Sequence, residues 1–164
     1  MRLGILTISD RSAMGEREDE SGPLLAKRVQ SKGWTVVEST VLPDEADQIS
    51  SLLKEWSDSG KVSLILTTGG TGFAKRDVTP EATLEVVDRL APGLTEAMRT
   101  HGIKKTSHAM LSRAVAGIRG STLIVNLPGN PKGSRENLDV ILPVLDHAAQ
   151  VLSDDPHAEK GHKA

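Results

Sequence analysis

Short apolar runs alternate with longer amphipathic segments along most of the chain. The apolar runs predict β-strands over residues 3–8, 35–41, 62–66 and 122–127. Segments with helical periodicity lie between and after them. This alternation is typical of an α/β protein whose helices pack on the faces of a sheet.

Residues that commonly start and stop helices bracket the amphipathic segments. Ser21 and Thr79 stand just before or next to a proline, so each hydroxyl is placed to cap a helix. Pro143 interrupts the last segment and predicts a kink or a split there. The predicted helices run from Ser21 to Gly33, from Asp44 to Gly60, from Thr79 to about Leu90, over 95–105, over 108–114 and from Asn130 to Leu152.

Length and composition predict one domain over residues 1–152. The 164 residues suffice to bury a core but are few for two domains. Residues 153–164 are polar and lack periodicity, so we expect a mobile tail there. The formal charge is -2 and only three aromatic residues occur, so we expect no nucleic-acid partner.

The chain contains no cysteine, which removes disulfides, thiolate metal sites and a cysteine nucleophile. The apolar run at the start of the chain is too short for a signal peptide. No stretch approaches the roughly 18 apolar residues of a membrane helix. We therefore expect a soluble, cytoplasmic protein with no membrane partner.

The segment TTGGTG places Gly69, Gly70 and Gly72 where a buried strand would end. Ligands of open α/β sheets bind outside the carboxyl ends of strands, where glycines let backbone N–H groups approach an anion. The segment does not contain the P-loop motif, and it departs from the dinucleotide fingerprint at the third glycine. Phosphate binding and a merely tight connection both fit these residues.

Two acidic residues follow predicted strand ends. Asp77 comes after the glycine segment, and Asp44 lies in VLPDEADQI after another strand. A carboxylate beside bound phosphate favours a divalent cation between them, and Mg²⁺ is usually held by one or two carboxylates plus phosphate oxygens. The alternatives are a solvated loop acid for Asp77 and a helix N-cap for Asp44.

A third segment, NLPGNPKGS, is built in the same way. Pro128 and Gly129 form a turn after a predicted strand, and Asn130 opens a helix whose first N–H groups can hold an anion. An ordinary helix cap is the alternative. Three such loops at carboxyl ends of strands would converge on one crevice.

In their order along the chain, these motifs resemble the MogA-type molybdopterin adenylyltransferases. The matching segments are ISDR, TTGGTG, RDVTPEAT, PGLTEAMR, SRAVAG and NLPGNP, and the resemblance spans residues 3–152. It implies a three-layer, mostly parallel sheet with helices on both faces, and a homotrimer. The implied reaction transfers the adenylyl group of ATP to the phosphate of molybdopterin and releases pyrophosphate, with Mg²⁺ as cofactor. A molybdenum insertase is an implied downstream partner.

The resemblance also implies roles for individual residues. Asp44 and Asp77 match acids linked to catalysis and metal binding. No role is implied for Lys75, Arg76 or the histidines. The matches to the nucleotide-phosphate loop are Gly69, Gly70, Thr71 and Gly72, and those to the pterin side are Ser112, Asn126, Pro128 and Gly129, with Ser9 and Asp10 matching less closely.

Two alternative functions stay open on this resemblance. A MoaB-like protein would bind the pterin with little adenylylation, and it would share TTGGTG and the RD-x-T-P segment. The sequences LTISDRSAMGEREDESGP and PGLTEAMR favour the MogA side. The second alternative is a scaffold or interaction domain, as the similar domain of gephyrin suggests.

Overall fold

The computed structural model describes residues 1–153, which form one sheet covered by helices. Apart from Ser153, the predicted tail lies outside the described residues. The strands are β1 (Arg2–Ile8), β2 (Thr35–Leu42), β3 (Leu64–Thr68), β4 (Arg89–Leu90), β5 (Ala116–Arg119) and β6 (Thr122–Leu127). The helices are α1 (Asp10–Ala13), α2 (Ser21–Gln30), α3 (Ala46–Asp58), α4 (Thr79–Val86), α5 (Pro92–Ile103) and α6 (Pro131–Leu152), with a 3₁₀-helix over Ser107–Leu111.

The sheet has six strands in the order β2-β1-β3-β6-β5-β4. The first four in this order run parallel to one another, whereas β5 is antiparallel to β6 and β4 is antiparallel to β5. The parallel strands therefore all end at one edge, which we call the carboxyl edge. The predicted mostly parallel α/β sheet is confirmed.

Alternating residues of the buried strands pack into two separate hydrophobic cores. In β1, Leu3 and Ile5 pack with α2 and α6 on one face, while Leu6 and Ile8 pack with α3 and α4 on the other. Both faces of a parallel sheet are normally covered in this way, which requires apolar residues in succession along each strand. The three-layer arrangement implied by the resemblance is therefore present.

The strand predictions hold to within two residues, but two strands lie outside them. Residues 122–127 form a strand as predicted, and the strand predicted over 62–66 lies at Leu64–Thr68. The short strands β4 and β5 were not predicted, and the predicted extension of the third helix to about Leu90 is wrong. Helix α4 ends at Val86, because the chain then turns back and the Asp88 N–H donates to the Ile118 carbonyl over 2.8 Å.

Some predicted helix caps are replaced by longer-range contacts. The Ser21 hydroxyl donates to the Gly129 carbonyl over 2.8 Å, and Asp19 instead accepts the Ser21 N–H over 3.0 Å. Asn130 caps α6 as predicted, accepting the Gly133 N–H over 2.6 Å. Helix α6 continues through Pro143, so two separate helices at this position are ruled out.

Candidate functional site

The carboxyl edge brings the predicted loops together. Ser9 and Asp10 follow β1, Asp44 follows β2, residues 69–77 follow β3, and residues 128–130 follow β6. Because these four strands are parallel neighbours, their loops emerge side by side. We call residues 69–77 the glycine loop.

Two cavities flank the glycine loop. The first, of about 410 Å³, contains Asp10, Asp19, Asp44 and Asp77, and we call it the acidic cavity. The second, of about 620 Å³, has walls that include Arg99, Lys105, His108 and Lys132, and we call it the basic cavity. Both lie in the size range of small-molecule sites. Four residues line both cavities and form what we call the shared wall: Gly70, Asp77, Gly129 and Asn130.

The turn after β3 requires glycine at two positions. Gly69 and Gly70 have φ values of +108° and +62°, which residues with a side chain rarely adopt. A Cβ at Gly69 would overlap the Ile8 carbonyl oxygen, and one at Gly70 would lie 2.9 Å from Asp44 Oδ1. The missing side chains therefore let the loop lie directly against β1 and against a carboxylate.

A second layer of contacts fixes the two loops of the shared wall to each other. The Gly69 N–H donates to the Leu127 carbonyl over 3.2 Å, and the Thr68 hydroxyl donates to the Pro128 carbonyl over 2.7 Å. The Thr79 hydroxyl, which was predicted to cap α4, donates to the Gly69 carbonyl over 2.9 Å. Strand ends and helix α4 thus hold both loops in one arrangement.

Asp10 and Asp44 hold each other through backbone contacts. The Asp10 N–H donates to Asp44 Oδ2 over 2.9 Å, and the Asp44 N–H donates to Asp10 Oδ1 over 3.0 Å. Asp44 therefore does not cap α3, where Glu45 takes the N-cap position without a side-chain hydrogen bond. The exchange joins the loops that follow β1 and β2.

Arg76 balances one of these two charges. Its guanidinium donates to Asp10 over 2.9 and 2.8 Å and to Glu45 over 2.8 Å. The hydrogen bonds from Arg76 lower the pKa of Asp10. Burial raises the pKa of Asp44, and the charges of Asp10 and Asp77 act in the same direction. Asp44 thus carries an incompletely balanced negative charge in the acidic cavity.

We expect Asp44→Asn to raise the melting temperature at pH 7 in Mg²⁺-free buffer. The folded-state pKa of Asp44 lies above its unfolded value, so ionisation of this group costs stability as the pH rises through the folded-state pKa. Asparagine keeps an acceptor for the Asp10 N–H and removes the charge. Thermal unfolding between pH 3 and pH 7 tests this, and a wild-type protein that is more stable than the variant at pH 7 would contradict it.

The acidic side of the shared wall fits the implied Mg²⁺. Asp77 Oδ2 accepts the Ala74 N–H over 2.9 Å, and Asp44 Oδ2 accepts the Asp10 N–H. Within residues 1–153, Oδ1 of each carboxylate has no hydrogen bond. Two carboxylates with free oxygens beside a cavity large enough for a phosphate-bearing ligand suit a cation that takes its other ligands from phosphate and water. No group of three or more histidine, cysteine or acidic residues that could hold a metal occurs among these residues.

The basic cavity offers positive charge on the other side of the shared wall. Lys105, in the turn after α5, pairs with Glu136 of α6 over 3.2 Å across this cavity. Arg99 donates to the Ala114 carbonyl over 3.1 Å and to the Thr95 hydroxyl over 3.1 Å. The lining holds three lysine or arginine side chains against the two carboxylates of Asp77 and Glu136, and this excess of positive charge suits an anionic ligand.

The remaining predicted residues lie at different depths. Ser112 lines the basic cavity and Pro128 lies on its wall, whereas Asn126 is fully buried beneath the loops. The Asn126 side chain donates to the Thr67 and Thr83 hydroxyls over 3.0 and 2.9 Å and accepts the Val115 N–H over 3.1 Å. Its amide is thus occupied by protein groups, and the structure places it as a support for the loops rather than on a cavity surface.

Sequence reasoning did not single out several residues of this region. Asp19 lines the acidic cavity and also fixes the start of α2 by accepting the Ser21 and Gly22 N–H groups, each over 3.0 Å. The spacing of Asp19 from Ser21 resembles an Asx turn and was a usable pattern. Arg99 and Arg113 lie in PGLTEAMR and SRAVAG, which carry the resemblance, but nothing in these segments indicates their partners, which are defined by the folded chain.

No helix within residues 1–153 has both the length and the apolar character needed to cross a membrane.

Comparison with known proteins identifies the family. Residues 4–147 match the family model described as "Probable molybdopterin binding domain". The chain is 43% identical to the Drosophila melanogaster molybdenum cofactor synthesis protein cinnamon over 93% of its own length, but it spans only 26% of that relative. It is 44% identical to the molybdopterin adenylyltransferase of Escherichia coli K12, covering 85% of this chain and 72% of that one.

A solved structure agrees with these relatives. The molybdopterin biosynthesis enzyme MoaB from Thermus thermophilus is 49% identical, with a TM-score of 0.89, and the match covers 94% of this chain and 98% of that one. The family match covers most of the chain, and the resemblance drawn from the motifs is thereby confirmed. The chain belongs to the molybdopterin-binding domain family of molybdenum cofactor biosynthesis.

Proposed function

We propose that the protein transfers the adenylyl group of Mg-ATP to the phosphate of molybdopterin and releases pyrophosphate. The observation that carries this proposal is the shared wall, where an acidic and a basic cavity meet at the glycine loop. Two substrates bound in adjoining cavities would bring their reacting groups together at this wall. Holding two reactants in this geometry removes a large part of the entropic barrier to a reaction between two molecules.

The residues at the wall suit this reaction. A phosphate oxygen of molybdopterin attacks the α-phosphorus of ATP, the bond to the β-phosphate oxygen breaks, and pyrophosphate leaves. The nucleophile belongs to the substrate, so the protein needs no activated serine or cysteine. Backbone N–H groups of the glycine loop would stabilise charge on the phosphate oxygens. Asp44 and Asp77 would hold Mg²⁺, which would neutralise phosphate charge when bound.

The relatives support the same reaction. The Escherichia coli relative is named molybdopterin adenylyltransferase, and this chain covers 72% of its length. The Helicobacter pylori J99 relative of the same name is 38% identical, and 88% of its length is covered. Both matches include the strands and loops that form the shared wall, since they extend over 85% and 93% of this chain.

The test is pyrophosphate release by the purified protein supplied with molybdopterin and Mg-ATP. We expect release only when the pterin is present, in a one-to-one ratio with adenylylated molybdopterin. Reactions without pterin or without Mg²⁺ are the controls. Hydrolysis of ATP that does not depend on the pterin would contradict the proposal.

A MoaB-like protein that binds molybdopterin without adenylylating it is the second candidate. The 49% identity to the Thermus thermophilus MoaB favours it. Binding of molybdopterin without any pyrophosphate release would establish this candidate in place of the first. The measurement therefore separates the two functions in one experiment.

Assembly, partners and location are further parts of the proposal. We propose a homotrimer, which light scattering at known concentration tests directly. Transfer of the product to a molybdenum insertase is consistent with the match to cinnamon, of which this chain spans 26%. A cytoplasmic location is proposed with them.

A further inference from the structure

Arg113, which lines neither cavity, donates hydrogen bonds to three carbonyl groups of the glycine loop. The Arg113 N–H donates to the Thr71 carbonyl over 2.9 Å, Nε donates to the Gly72 carbonyl over 2.7 Å, and Nη2 donates to the Asp77 carbonyl over 2.6 Å. Nη1 pairs with Glu81 on the first turn of α4. Charged donors of this kind form some of the stronger hydrogen bonds in proteins.

These contacts determine where the neighbouring N–H groups point. No cis peptide occurs among the described residues, and in a planar trans peptide the C=O and the following N–H point in opposite directions. Since the Thr71 and Gly72 carbonyls face Arg113, the N–H groups of Gly72 and Phe73 face away from it. The same holds for the N–H of Val78, which follows the Asp77 carbonyl.

The N–H groups so directed have no protein partner. Within residues 1–153, the N–H groups of Gly72 and Phe73 make no hydrogen bond. The N–H groups of Gly70 and Thr71 make none either, but the carbonyls that precede them are held by Thr79. Thr71 is only 6% exposed, so its N–H is not simply left to bulk water. Successive unpaired N–H groups in a turn form a concave anion site. Gly70, Thr71 and Gly72 all line the basic cavity, where such a group would meet a ligand.

We propose that Arg113 is a positioning residue that turns the glycine loop so that its free N–H groups face a phosphate of the substrate. This inference rests on the proposed function, since it takes nucleotide phosphate as the ligand of the loop. Arg113 does not touch that ligand, because it lines neither cavity. Its guanidinium holds the Gly72 and Asp77 carbonyls, and its backbone N–H holds the Thr71 carbonyl, all on the opposite side of the loop.

Lysine cannot replace the guanidinium in this role. Arginine offers a planar fork of five N–H donors, and here separate nitrogens reach Gly72, Asp77 and Glu81. A lysine ammonium is a single point at the end of a flexible chain and cannot satisfy all three directions at once. Arg113→Lys therefore keeps the charge and the backbone contact to the Thr71 carbonyl, and it releases the Gly72 and Asp77 carbonyls.

The experiment measures binding of Mg-pyrophosphate by calorimetry to the wild type and to Arg113→Lys. We expect the variant to bind at least about tenfold more weakly, as loss of one charged hydrogen bond would predict. Amide hydrogen exchange is a second, independent measurement of the same effect. Mg-pyrophosphate should slow exchange of the N–H groups at 70–73 in the wild type and have little effect in the variant.

Arg119→Lys is the matched control. Arg119 forms a two-point pair with Asp58 over 2.9 and 2.8 Å and donates to the Val86 carbonyl over 3.2 Å, but it lines neither cavity. Loss of the Arg119 guanidinium should lower the free energy of unfolding without changing the affinity for pyrophosphate. A merely structural role for Arg113 would give the same result as this control.

Equal pyrophosphate affinity in Arg113→Lys and wild type would overturn the proposal, and so would a wild type that binds no pyrophosphate. If Arg113→Lys does not fold, Arg113→Gln replaces it, since its amide has one nitrogen where two guanidinium nitrogens reach the Gly72 and Asp77 carbonyls. Unchanged binding in that variant is equally decisive against the proposal. A wild type whose pyrophosphate binding depends on Arg113 but which catalyses no adenylyl transfer would refute the proposed function and leave the role of Arg113 supported.

Discussion

Replacing Asp77 by asparagine is expected to lower pterin-dependent pyrophosphate release by about 100-fold or more, because in the proposed reaction Asp77 would hold Mg²⁺ against the phosphates at the shared wall. The fold should survive. The Asp77 carboxylate is half-buried and accepts the Ala74 N–H over 2.9 Å, and the asparagine side-chain oxygen can accept the same bond. The measurement is turnover together with calorimetric titration of Mg²⁺ in the presence of ATP.

Asp88→Asn is the matched control for this change. Asp88 also accepts a backbone N–H, from Gly120 over 2.8 Å, but it lines neither cavity. It should therefore keep wild-type turnover. Turnover by Asp77→Asn at the rate of the Asp88 variant would remove Asp77 from the proposed metal site, whatever its effect on the melting temperature.

Replacing Gly69 by alanine is expected to destabilise the protein by about 3–5 kcal/mol, through backbone strain and overpacking together. Its φ of +108° is rarely adopted by residues with a side chain, and the added Cβ would overlap the Ile8 carbonyl oxygen. Relief would require β1 and the glycine loop to separate, which would also distort the shared wall. Denaturant unfolding and turnover of the remaining folded protein measure both consequences.

Gly33→Ala separates the two causes. Gly33 has a φ of +79°, but a Cβ there would have no atom within 4 Å. It should cost only about 1–2 kcal/mol, the usual penalty for an L-residue in the left-handed region. Equal destabilisation at Gly33 and Gly69 would show that close packing against β1 contributes nothing measurable.

The long buried strands could be predicted because their residues are apolar on both faces. Leu64, Ile65 and Leu66, for example, pack alternately into the two cores, and such a run is readable without its neighbours. Strand β4 has two exposed residues, Arg89 and Leu90, and its structure comes from pairing with β5. Nothing in the local sequence specifies that pairing.

Helix caps were predicted less well at the site than elsewhere, for a physical reason. The hydroxyls of Ser21 and Thr79 match local capping patterns, but they donate to the Gly129 and Gly69 carbonyls instead. Partners 108 and 10 residues away thus compete with the local backbone. Asn130, which has no such partner, caps its helix as its sequence predicts.

Site residues that follow the ends of strands could be predicted from the sequence. Site residues whose side chains contact partners distant in the sequence could not. Asp44, Asp77 and the glycines were singled out because Asp44 and the glycines follow apolar runs and Asp77 follows the glycines, and their roles stay predictions. Arg113 was not, since the loop groups it holds are 36 and 41 residues away in the chain. Asn126 was named on resemblance, and only the folded structure shows that its amide is enclosed beneath the loops.

The shared wall has a consequence for the order of events in the proposed reaction. Because a separate cavity opens on each side of Gly70 and Gly129, neither substrate needs to pass through the space that the other occupies. The two substrates could then bind in either order, and adenylyl transfer would require both cavities to be occupied. Pyrophosphate would leave from the nucleotide's cavity alone, whereas the adenylylated pterin would join groups held on both sides of the wall. The proposed reaction would then follow a ternary-complex mechanism without a covalent intermediate on the protein.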